Sequence, residues 1–275
     1  MRRRVGRGGA GRLALGAFFA LFVAFLYGPT LTILVLSFQG PEGGLTFPMR
    51  GVSTEWFSRL FARQAVGDLG AAFGRSLALA ALVTGVTVVV SVAAGLAFRK
   101  PFRGSGALFT LTLSSLIVPA VLVSLGIGLL FSQAGWDAAW YSSAFGAHLS
   151  WTLPFGLLIM FAVFNRFDRA WEEAARDLGA SPWQGFRHVV LPIIAPSVVG
   201  IGLFGFTLSY DEFARTLLAA GSTNTLPLEI FGMTTNVTSP VLYALGTATT
   251  MISFIVISAA FFVINSLSSR NHRSC

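Results

Sequence analysis

The sequence predicts an all-α, polytopic membrane protein that crosses the bilayer six times and keeps both termini in the cytoplasm. Hydrophobic residues make up 54% of the 275 and charged residues 11%, about half the charged fraction of a soluble domain. Long apolar stretches recur along the chain, and arginines are concentrated in every second connection between them. The mean hydropathy is +0.73, so we expect most of the protein surface to face lipid.

Six stretches are long enough to provide the ~20 apolar residues that cross the ~30 Å hydrocarbon core. Pro119 lies in the third stretch, and Trp151 and Pro154 lie in the fourth. In a packed bundle, neighbouring helices can satisfy the carbonyl groups that a proline leaves unbonded, so both stretches are counted as spans. The six are Leu13–Phe38, Ser76–Phe98, Ala107–Phe131, Ala144–Phe164, Ile193–Leu218 and Val241–Leu267.

The first stretch follows an arginine cluster, as the core of a signal peptide would. Its apolar run exceeds the roughly 7–15 residues of such a core, and no small-x-small cleavage site follows it cleanly. We therefore interpret it as a retained helix, preceded by a basic cytoplasmic tail over residues 1–12.

The placement of arginine and lysine predicts the orientation. With the N-terminus inside, 14 of the 19 basic residues lie in cytoplasmic segments, as the positive-inside rule requires, and this asymmetry needs an even number of spans. Residues 39–75 then form an external loop, residues 76–267 the core transmembrane domain, and residues 268–275 a cytoplasmic tail. The five basic residues left outside are Arg50, Arg59, Arg63, Arg75 and Arg215.

The net charge of +8 does not indicate nucleic-acid binding, because the basic residues cluster at the ends of apolar stretches. Cys275 is the only cysteine, so no intrachain disulfide is predicted. His148, His188 and His272 are far apart and lack metal-ligand spacing. We therefore expect neither a nucleic-acid partner nor a metal site.

The external loop begins with a Gly/Pro-rich stretch and then holds a short helix that Ser53 or Thr54 would cap. Two placements of this helix fit its pattern: at the membrane interface with its aromatic rings at headgroup level, or packed on the helix bundle. The apolar side consists of Trp56, Phe57, Leu60 and Phe61.

The longest inner loop, residues 165–192, has the pattern of a helix-turn-helix. In its first half, apolar residues recur at i, i+3, i+4 and i+7, and charged residues on the opposite side are spaced to pair at i,i+4. Gly179 stands where a helix end favours a positive φ. The apolar residues are Trp171, Ala174, Ala175 and Leu178, and the predicted pairs are Glu172–Arg176 and Arg169–Glu173.

The second helix of this loop begins at Ser181. Ser181 suits the N-cap, Pro182 the first helical position, and Gln184 the reciprocal place in a capping box. We expect this helix to stop before Leu191-Pro192, because a residue preceding proline is disfavoured in the α region. The whole element is either a docking surface, which exposes a small apolar patch surrounded by charged residues, or a plain connector packed on lipid headgroups.

Part of this loop resembles the EAA loop of bacterial ABC importer permeases. The similarity lies in residue types at fixed spacing between the fourth and fifth spans, with valine where the family has isoleucine. It extends over roughly residues 70–270. A looser similarity to permeases of the spermidine/putrescine class covers Ser209–Phe213 and Asn224–Leu228. The six matching residues of the loop are Glu173, Ala174, Ala175, Gly179, Leu191 and Pro192, and Val189 is the departure.

The resemblance implies a bacterial inner-membrane subunit that forms the translocation path of an importer for a small solute, such as a polyamine. In that family the EAA loop is a coupling helix that docks on a separate cytoplasmic ATPase, which binds ATP and magnesium. Two ATPase copies, a second homologous permease and a periplasmic or lipid-anchored solute-binding protein complete the importer. The docking residues implied here are Glu172, Glu173, Ala174, Ala175, Gly179, Leu191 and Pro192.

The residues themselves exclude a Walker A loop in this chain. That loop needs a Gly-Lys-Ser/Thr sequence, and Lys100, the only lysine, lies between Arg99 and Pro101. We therefore expect no cofactor bound by this chain and no enzymatic activity of its own. The string Gly200-x-Gly202-x-x-Gly205 matches a dinucleotide fingerprint, but it lies inside an apolar span, where small residues favour close helix packing.

Four residues near the outer end of the fifth span are candidates for the solute path: Tyr210, Asp211, Glu212 and Arg215. Charges at membrane depth cost about 2.5–3.5 kcal/mol each and normally face a cavity or a partner. Arg215 can pair with either carboxylate, which leaves the other to attract a cationic solute. The alternative is an ion-pair cluster that fixes the helix end or meets the solute-binding protein. Nearby aromatic residues fit an interfacial belt or cation–π contacts with a solute; they are Trp136, Trp140, Tyr141 and Trp151.

Two other function classes fit the sequence less well. A self-contained secondary carrier usually shows an internal repeat and ionisable residues near the midplane, whereas the two halves show no repeat and spans one to four hold almost no charge. A membrane-embedded enzyme would need a clustered nucleophile or metal set, and the sequence shows none.

Overall fold

The computed structural model describes residues 8–60, 68–100, 102–236 and 240–273. These residues form helices joined by turns, without a strand apart from two isolated β-bridges, and the all-α prediction is confirmed. The helices are α1 (Gly8–Leu36), α2 (Glu55–Arg59), α3 (Leu69–Phe98), α4 (Ser105–Ser114), α5 (Ala120–Gln133), α6 (Ser143–Arg166), α7 (Ala170–Asp177), α8 (Pro182–Gly185), α9 (Leu191–Tyr210), α10 (Leu226–Asn236) and α11 (Val241–Arg273), with a π-helical turn at Phe186–Val190.

The chain divides into two compact units, Met1–Ala65 with Thr234–Met251, and Val66–Met233 with Ile252–Cys275. In the first unit the loop after α1 folds around Gln39, whose side-chain amide accepts from Arg50 N at 2.8 Å and donates to Gly44 O at 3.1 Å. Trp56 of α2 is buried and donates from Nε1 to Gln39 O at 2.7 Å. Within this unit α2 packs on the loop after α1, and the choice between its two predicted placements stays a prediction; Phe61 lies outside the described residues.

In the second unit, α3, α6 and α9 pack against one another. Glycines allow the close approach: a Cβ at Gly156 would lie 2.1 Å from Ser91 Oγ, and one at Gly95 would lie 2.7 Å from Met160 Cβ. A Cβ at Gly202 or Gly205 would meet Thr84 at ordinary contact distance, whereas one at Gly200 would meet nothing within 4 Å, so the close-packing interpretation of the glycine string holds for two of its three glycines. The buried residues form two clusters, one that includes Leu79, Val83, Ala144 and Ala147, and one of Met160, Val190, Ile194 and Ile201.

Five helices in the described part of the chain are long and apolar enough to cross a membrane by length and composition. The predicted continuous third span is wrong, because it divides into the shorter apolar helices α4 and α5, and Pro119 takes the N-cap position of α5. The ring of Pro119 fixes its φ and removes an N–H, which favours a new helix start over continuation. The six-span count stays a prediction.

Pro154 has the opposite outcome and lies inside the continuous helix α6. Its missing N–H leaves the carbonyl of Ser150 without its usual helical donor. Ser115, at the end of α4, donates its hydroxyl to Ser150 O at 2.5 Å. The expectation that a neighbouring helix satisfies the carbonyl released by a proline is confirmed here.

The predicted end of the second loop helix and the predicted end of the fifth span are also wrong. The loop helix does not stop before Pro192, since helical structure continues from Pro182 to Tyr210. A π-helical turn precedes Pro192, and Leu191 N bonds to Phe186 O five residues earlier; this wider turn accommodates the proline within a continuous helix. At the other end, α9 stops at Tyr210 rather than Leu218, and residues 211–219 form turns.

Candidate functional site

The first helix of the EAA loop, α7, is closed at both ends by local hydrogen bonds. Ala170 N donates to Asp168 Oδ1 at 2.9 Å at its start. At its end Gly179 has a φ of +85°, its N–H donates to Arg176 O at 2.8 Å, and Ala180 N donates to Ala175 O at 3.0 Å. This pair of bonds is the Schellman arrangement. The predicted positive φ of Gly179 is confirmed.

The second helix of the loop begins with the predicted capping box. Ser181 N donates to Gln184 Oε1 at 2.8 Å, and Gln184 N donates to Ser181 Oγ at 3.3 Å. Pro182 occupies the first helical turn. The turn between α7 and α8 is therefore fixed by its own residues, before any partner is added.

The apolar face of the loop is largely uncovered within this chain. Trp171 is 57% exposed, Leu178 90% and Trp183 64%, and Ala174 and Glu173 are also exposed. Large apolar side chains at the surface of a charged loop are typical of a contact site. We call Trp171, Leu178 and Trp183 the apolar ridge.

The structure divides the seven predicted docking residues between two places. Five lie on α7 or at its end, and Leu191 and Pro192 lie at the start of α9, beyond α8. Leu191 packs against the buried cluster around Met160 and Ile194, whereas Pro192 is exposed. Five of the seven residues therefore lie together at α7, and Leu191 contributes to the packing of α9.

Glu172 does not form the predicted pair with Arg176. Its two carboxylate oxygens accept from Nη1 and Nη2 of Arg99, each at 2.8 Å, because the end of α3 lies beside α7. The hydrogen bonds from Arg99 lower the pKa of Glu172 below its ordinary value, against a smaller opposing effect of burial. The Arg169–Glu173 pair is also wrong, since Arg169 Nη2 donates to Arg99 O at 2.7 Å.

Sequence reasoning missed Arg99 as part of this site. The sequence offered only a basic residue at the end of an apolar stretch, which the positive-inside rule already explains. In the structure the Arg99 guanidinium also lies 5.1 Å from the ring centroids of Phe164 and Phe167. A bidentate link between α3 and α7 depends on the tertiary fold and has no local sequence pattern.

The four predicted solute-path residues lie at the end of α9 and just beyond it. Arg215 pairs with Glu212: Arg215 N donates to Glu212 Oε1 at 2.9 Å, and Nη1 lies 3.4 Å from Oε2. Both side chains are buried, and the guanidinium lies 4.5 Å from the centroid of Trp151. Asp211 is exposed, and its carboxylate forms no hydrogen bond or ion pair with the part of the chain that the structure describes.

Tyr210, a candidate for the solute path, and Trp151, a candidate for the interfacial belt or for a solute contact, both make contacts inside the protein. Tyr210 is 3% exposed, its ring stacks on Phe206 at 5.8 Å, and its hydroxyl has no hydrogen-bond partner among the described residues. Trp151 contacts an internal cation, Arg215. The cation that Trp151 contacts is therefore a residue of this chain, Arg215.

His148 is a second residue that sequence reasoning missed. It is fully buried in α6, with Nδ1 at 2.8 Å from Ser209 Oγ and Nε2 at 2.8 Å from Thr216 Oγ1. Thr216 gives its own hydroxyl proton to Glu212 O at 2.8 Å. The network therefore assigns the imidazole proton to Nε2, leaving Nδ1 to accept from Ser209. His148 thereby connects α6 to the end of α9 and to the turns that follow.

The segment Asn224–Leu228 is held by a buried carboxylate. Glu229 accepts from Asp68 N at 2.8 Å and from Asn224 Nδ2 at 2.9 Å. Arg75 Nε donates to Asn224 O at 2.6 Å, and Leu226 N donates to Ser76 Oγ at 2.8 Å. These bonds join the start of α10 to the start of α3, which gives this stretch a structural role.

Comparison with known proteins agrees with this architecture. Residues 88–273 match the family model described as binding-protein-dependent transport system inner membrane component. The spermidine/putrescine transport system permease protein PotC of Escherichia coli (strain K12) is 31% identical over 256 residues, spanning 91% of this chain and 93% of PotC. The putrescine transport system permease protein PotI of the same strain is 30% identical over 231 residues, spanning 81% of this chain and 80% of PotI.

Solved structures show the same fold at low sequence identity. A bacterial ABC transporter that imports the polysaccharide alginate aligns with a TM-score of 0.67 at 15% identity, covering 96% of each chain. The MetNI methionine ABC transporter, in inward-facing conformations, aligns with a TM-score of 0.53 at 16% identity, covering 70% of this chain and 93% of that one. A self-contained secondary carrier is not favoured by these matches. The chain belongs to the family of binding-protein-dependent transport system inner membrane components, and it is a non-catalytic permease subunit of an ABC importer.

Proposed function

We propose that the EAA loop of this permease is the surface on which a separate cytoplasmic ATPase docks. The observation that supports this most directly is the apolar ridge, which lies exposed on a loop whose turns are already fixed by the Schellman bonds at Gly179 and the capping box at Ser181. A preorganised loop loses little conformational entropy when a partner binds. ATP and magnesium would be bound by that partner, because Lys100 is the only lysine of this chain and lies in no Walker A sequence.

The wider assembly is part of the same proposal. The alginate transporter was solved in complex with an alginate pentasaccharide-bound periplasmic protein. We expect this chain likewise to work with a periplasmic or lipid-anchored solute-binding protein, a second homologous permease and two ATPase copies. The solute we propose is a polyamine, because PotC and PotI are named for spermidine and putrescine, and because Asp211 offers an exposed carboxylate beside the end of α9.

A capture assay tests the docking. The membrane-embedded permease complex is purified by a tag on this chain, and the co-purified ATPase is quantified. Glu173→Arg reverses an exposed charge on α7 next to the apolar ridge, and we expect it to abolish most of the capture. Glu42→Arg makes the same change at an exposed site in the external loop and should leave capture unchanged. Equal capture by both variants and the wild type would contradict docking at the EAA loop.

A further inference from the structure

Arg99 is the junction of three elements in the second unit. It follows α3 directly, its guanidinium forms the bidentate pair with Glu172 of α7, and it lies against Phe164 and Phe167 at the end of α6. Its backbone carbonyl also accepts from Arg169. One residue therefore uses its charge, its planar face and its main chain to hold the ends of these helices together.

The geometry of this pair differs from that of an ordinary surface ion pair. The side chains of Arg99 and Glu172 are 13% and 19% exposed, whereas those of the Arg59–Glu55 pair are 52% and 34% exposed. Two parallel N–H···O bonds fix the relative orientation of the guanidinium and the carboxylate, which a single contact does not. The stacking on two phenylalanine rings further restricts the guanidinium.

The connectivity of the chain gives this contact its importance. The EAA loop is covalently continuous with α6 on one side and with α9 on the other. The third packed helix, α3, has no covalent connection to the loop at that end. The bonds made by Arg99 supply the missing connection, because they join the end of α3 to the first turn of α7.

We propose that Arg99 is a positioning residue that makes α3 move with the EAA loop, so that a displacement of the loop by the ATPase reaches α3 directly as well as α6 and α9. This inference rests on the proposed docking of the ATPase at the EAA loop. It assigns Arg99 no contact with ATP or with the solute.

Spin-label distances within the complete permease–ATPase complex test this inference. The background variant Cys275→Ser removes the only cysteine, and Ala97→Cys and Asp177→Cys place labels at exposed sites at the end of α3 and the end of α7. In the otherwise wild-type chain we expect one narrow distance distribution that is the same with and without ATP. With Arg99→Gln added, we expect ATP to broaden the distribution and shift it by roughly 2 Å or more, the scale of helix displacements at switching interfaces.

Two further variants make the result specific. Lys100→Gln removes the same charge from the neighbouring exposed residue and should behave as the wild type. Arg99→Lys keeps the charge but loses the bidentate geometry, so an intermediate shift is expected. If Arg99→Gln does not yield a folded complex, Arg99→Lys decides, and a wild-type distribution in that variant would overturn the inference.

The outcomes also separate this inference from the docking proposal. A distribution in Arg99→Gln identical to that of the wild type, or a wild-type distance that itself changes with ATP, overturns the role of Arg99 while leaving docking intact. Loss of ATPase capture in Arg99→Gln would make Arg99 part of the contact surface instead and would also overturn the positioning role. Failure of the Glu173→Arg capture test would overturn docking and the inference together.

Discussion

Asp211 and Glu212 are adjacent in the chain, yet the fold gives their carboxylates different surroundings. Glu212 is buried and accepts from both the main chain and the guanidinium of Arg215, whereas Asp211 is exposed after the last residue of α9. A buried pair that loses one partner leaves an uncompensated charge. At the scale of single residues, Glu212 therefore belongs to the structure of the turn, and Asp211 is the carboxylate that we propose as the contact for a cationic solute.

Asp211→Asn should weaken polyamine transport without unfolding the protein. We expect the putrescine concentration for half-maximal uptake to rise about fivefold, because an exposed charge pair contributes up to roughly 1 kcal/mol. Uptake by reconstituted vesicles containing the whole importer measures this.

Glu212→Gln should instead lower the amount of folded complex, since it leaves the charge of Arg215 buried and without its carboxylate. Unchanged uptake by the double variant Asp211→Asn, Glu212→Gln would contradict both the solute contact of Asp211 and the structural role of Glu212.

At the scale of helices, packing depends on glycines that let α3 and α6 approach closely. A Cβ at Gly156 would lie 3.0 Å from Ser91 Cβ and 3.2 Å from Thr87 Cγ2. Thr87 and Thr152 also share a buried hydrogen bond of 2.8 Å across this contact. Close approach of helices through small residues and interhelical hydroxyl bonds is typical of membrane proteins.

Gly156→Leu should destabilise the bundle by about 1–3 kcal/mol, the usual cost of inserting atoms into a packed interior. The measurement is the midpoint of thermal unfolding in detergent. Gly146→Leu is the matched control on the same helix, because a Cβ at Gly146 meets nothing within 4 Å. If the two leucine variants melted together, the packing of α3 on α6 at Gly156 would not be tight.

These helices also show how far the sequence determines the site. The capping box at Ser181 and the positive φ of Gly179 were predictable because both depend on neighbours within a few residues. The links from Arg99 to Glu172 and from His148 to Thr216 were not predictable, because their partners are 73 and 68 residues apart. Pro119 and Pro154 illustrate the same difference. Pro119 starts a new helix, as its own ring favours, whereas Pro154 stays inside α6, where Ser115 from a distant part of the sequence bonds to the released carbonyl.

At the scale of the whole molecule, composition and apolar stretches were sufficient for the fold class, and the resemblance of the EAA loop was sufficient for the family. Five apolar helices of the described chain are long enough to span a bilayer, and the family match covers residues 88–273. The predicted orientation rests on the distribution of the basic residues alone. It follows that the EAA loop is expected in the cytoplasm and the loop after α1 in the periplasm.

Labelling of single cysteines in intact cells tests this orientation. On the Cys275→Ser background, Glu42→Cys should react with a membrane-impermeant maleimide added outside the inner membrane. Asp177→Cys should react only after the membrane is permeabilised, because α7 is predicted to face the cytoplasm. Both sites are exposed, so access depends on the side of the membrane. Labelling of Asp177→Cys in intact cells would reverse the predicted topology and remove the basis for ATPase docking at this loop.

The continuous helical stretch from Pro182 to Tyr210 has a mechanical consequence. Its 29 residues extend about 43 Å at 1.5 Å per residue, with Trp183 at one end and the turn containing Asp211 at the other. A straight α-helix that moves as one rigid body would carry a rotation applied at Trp183 to Tyr210 in full. The π-helical turn at Phe186–Val190 lies between these two residues, so a change in its winding would alter the rotation that reaches Tyr210.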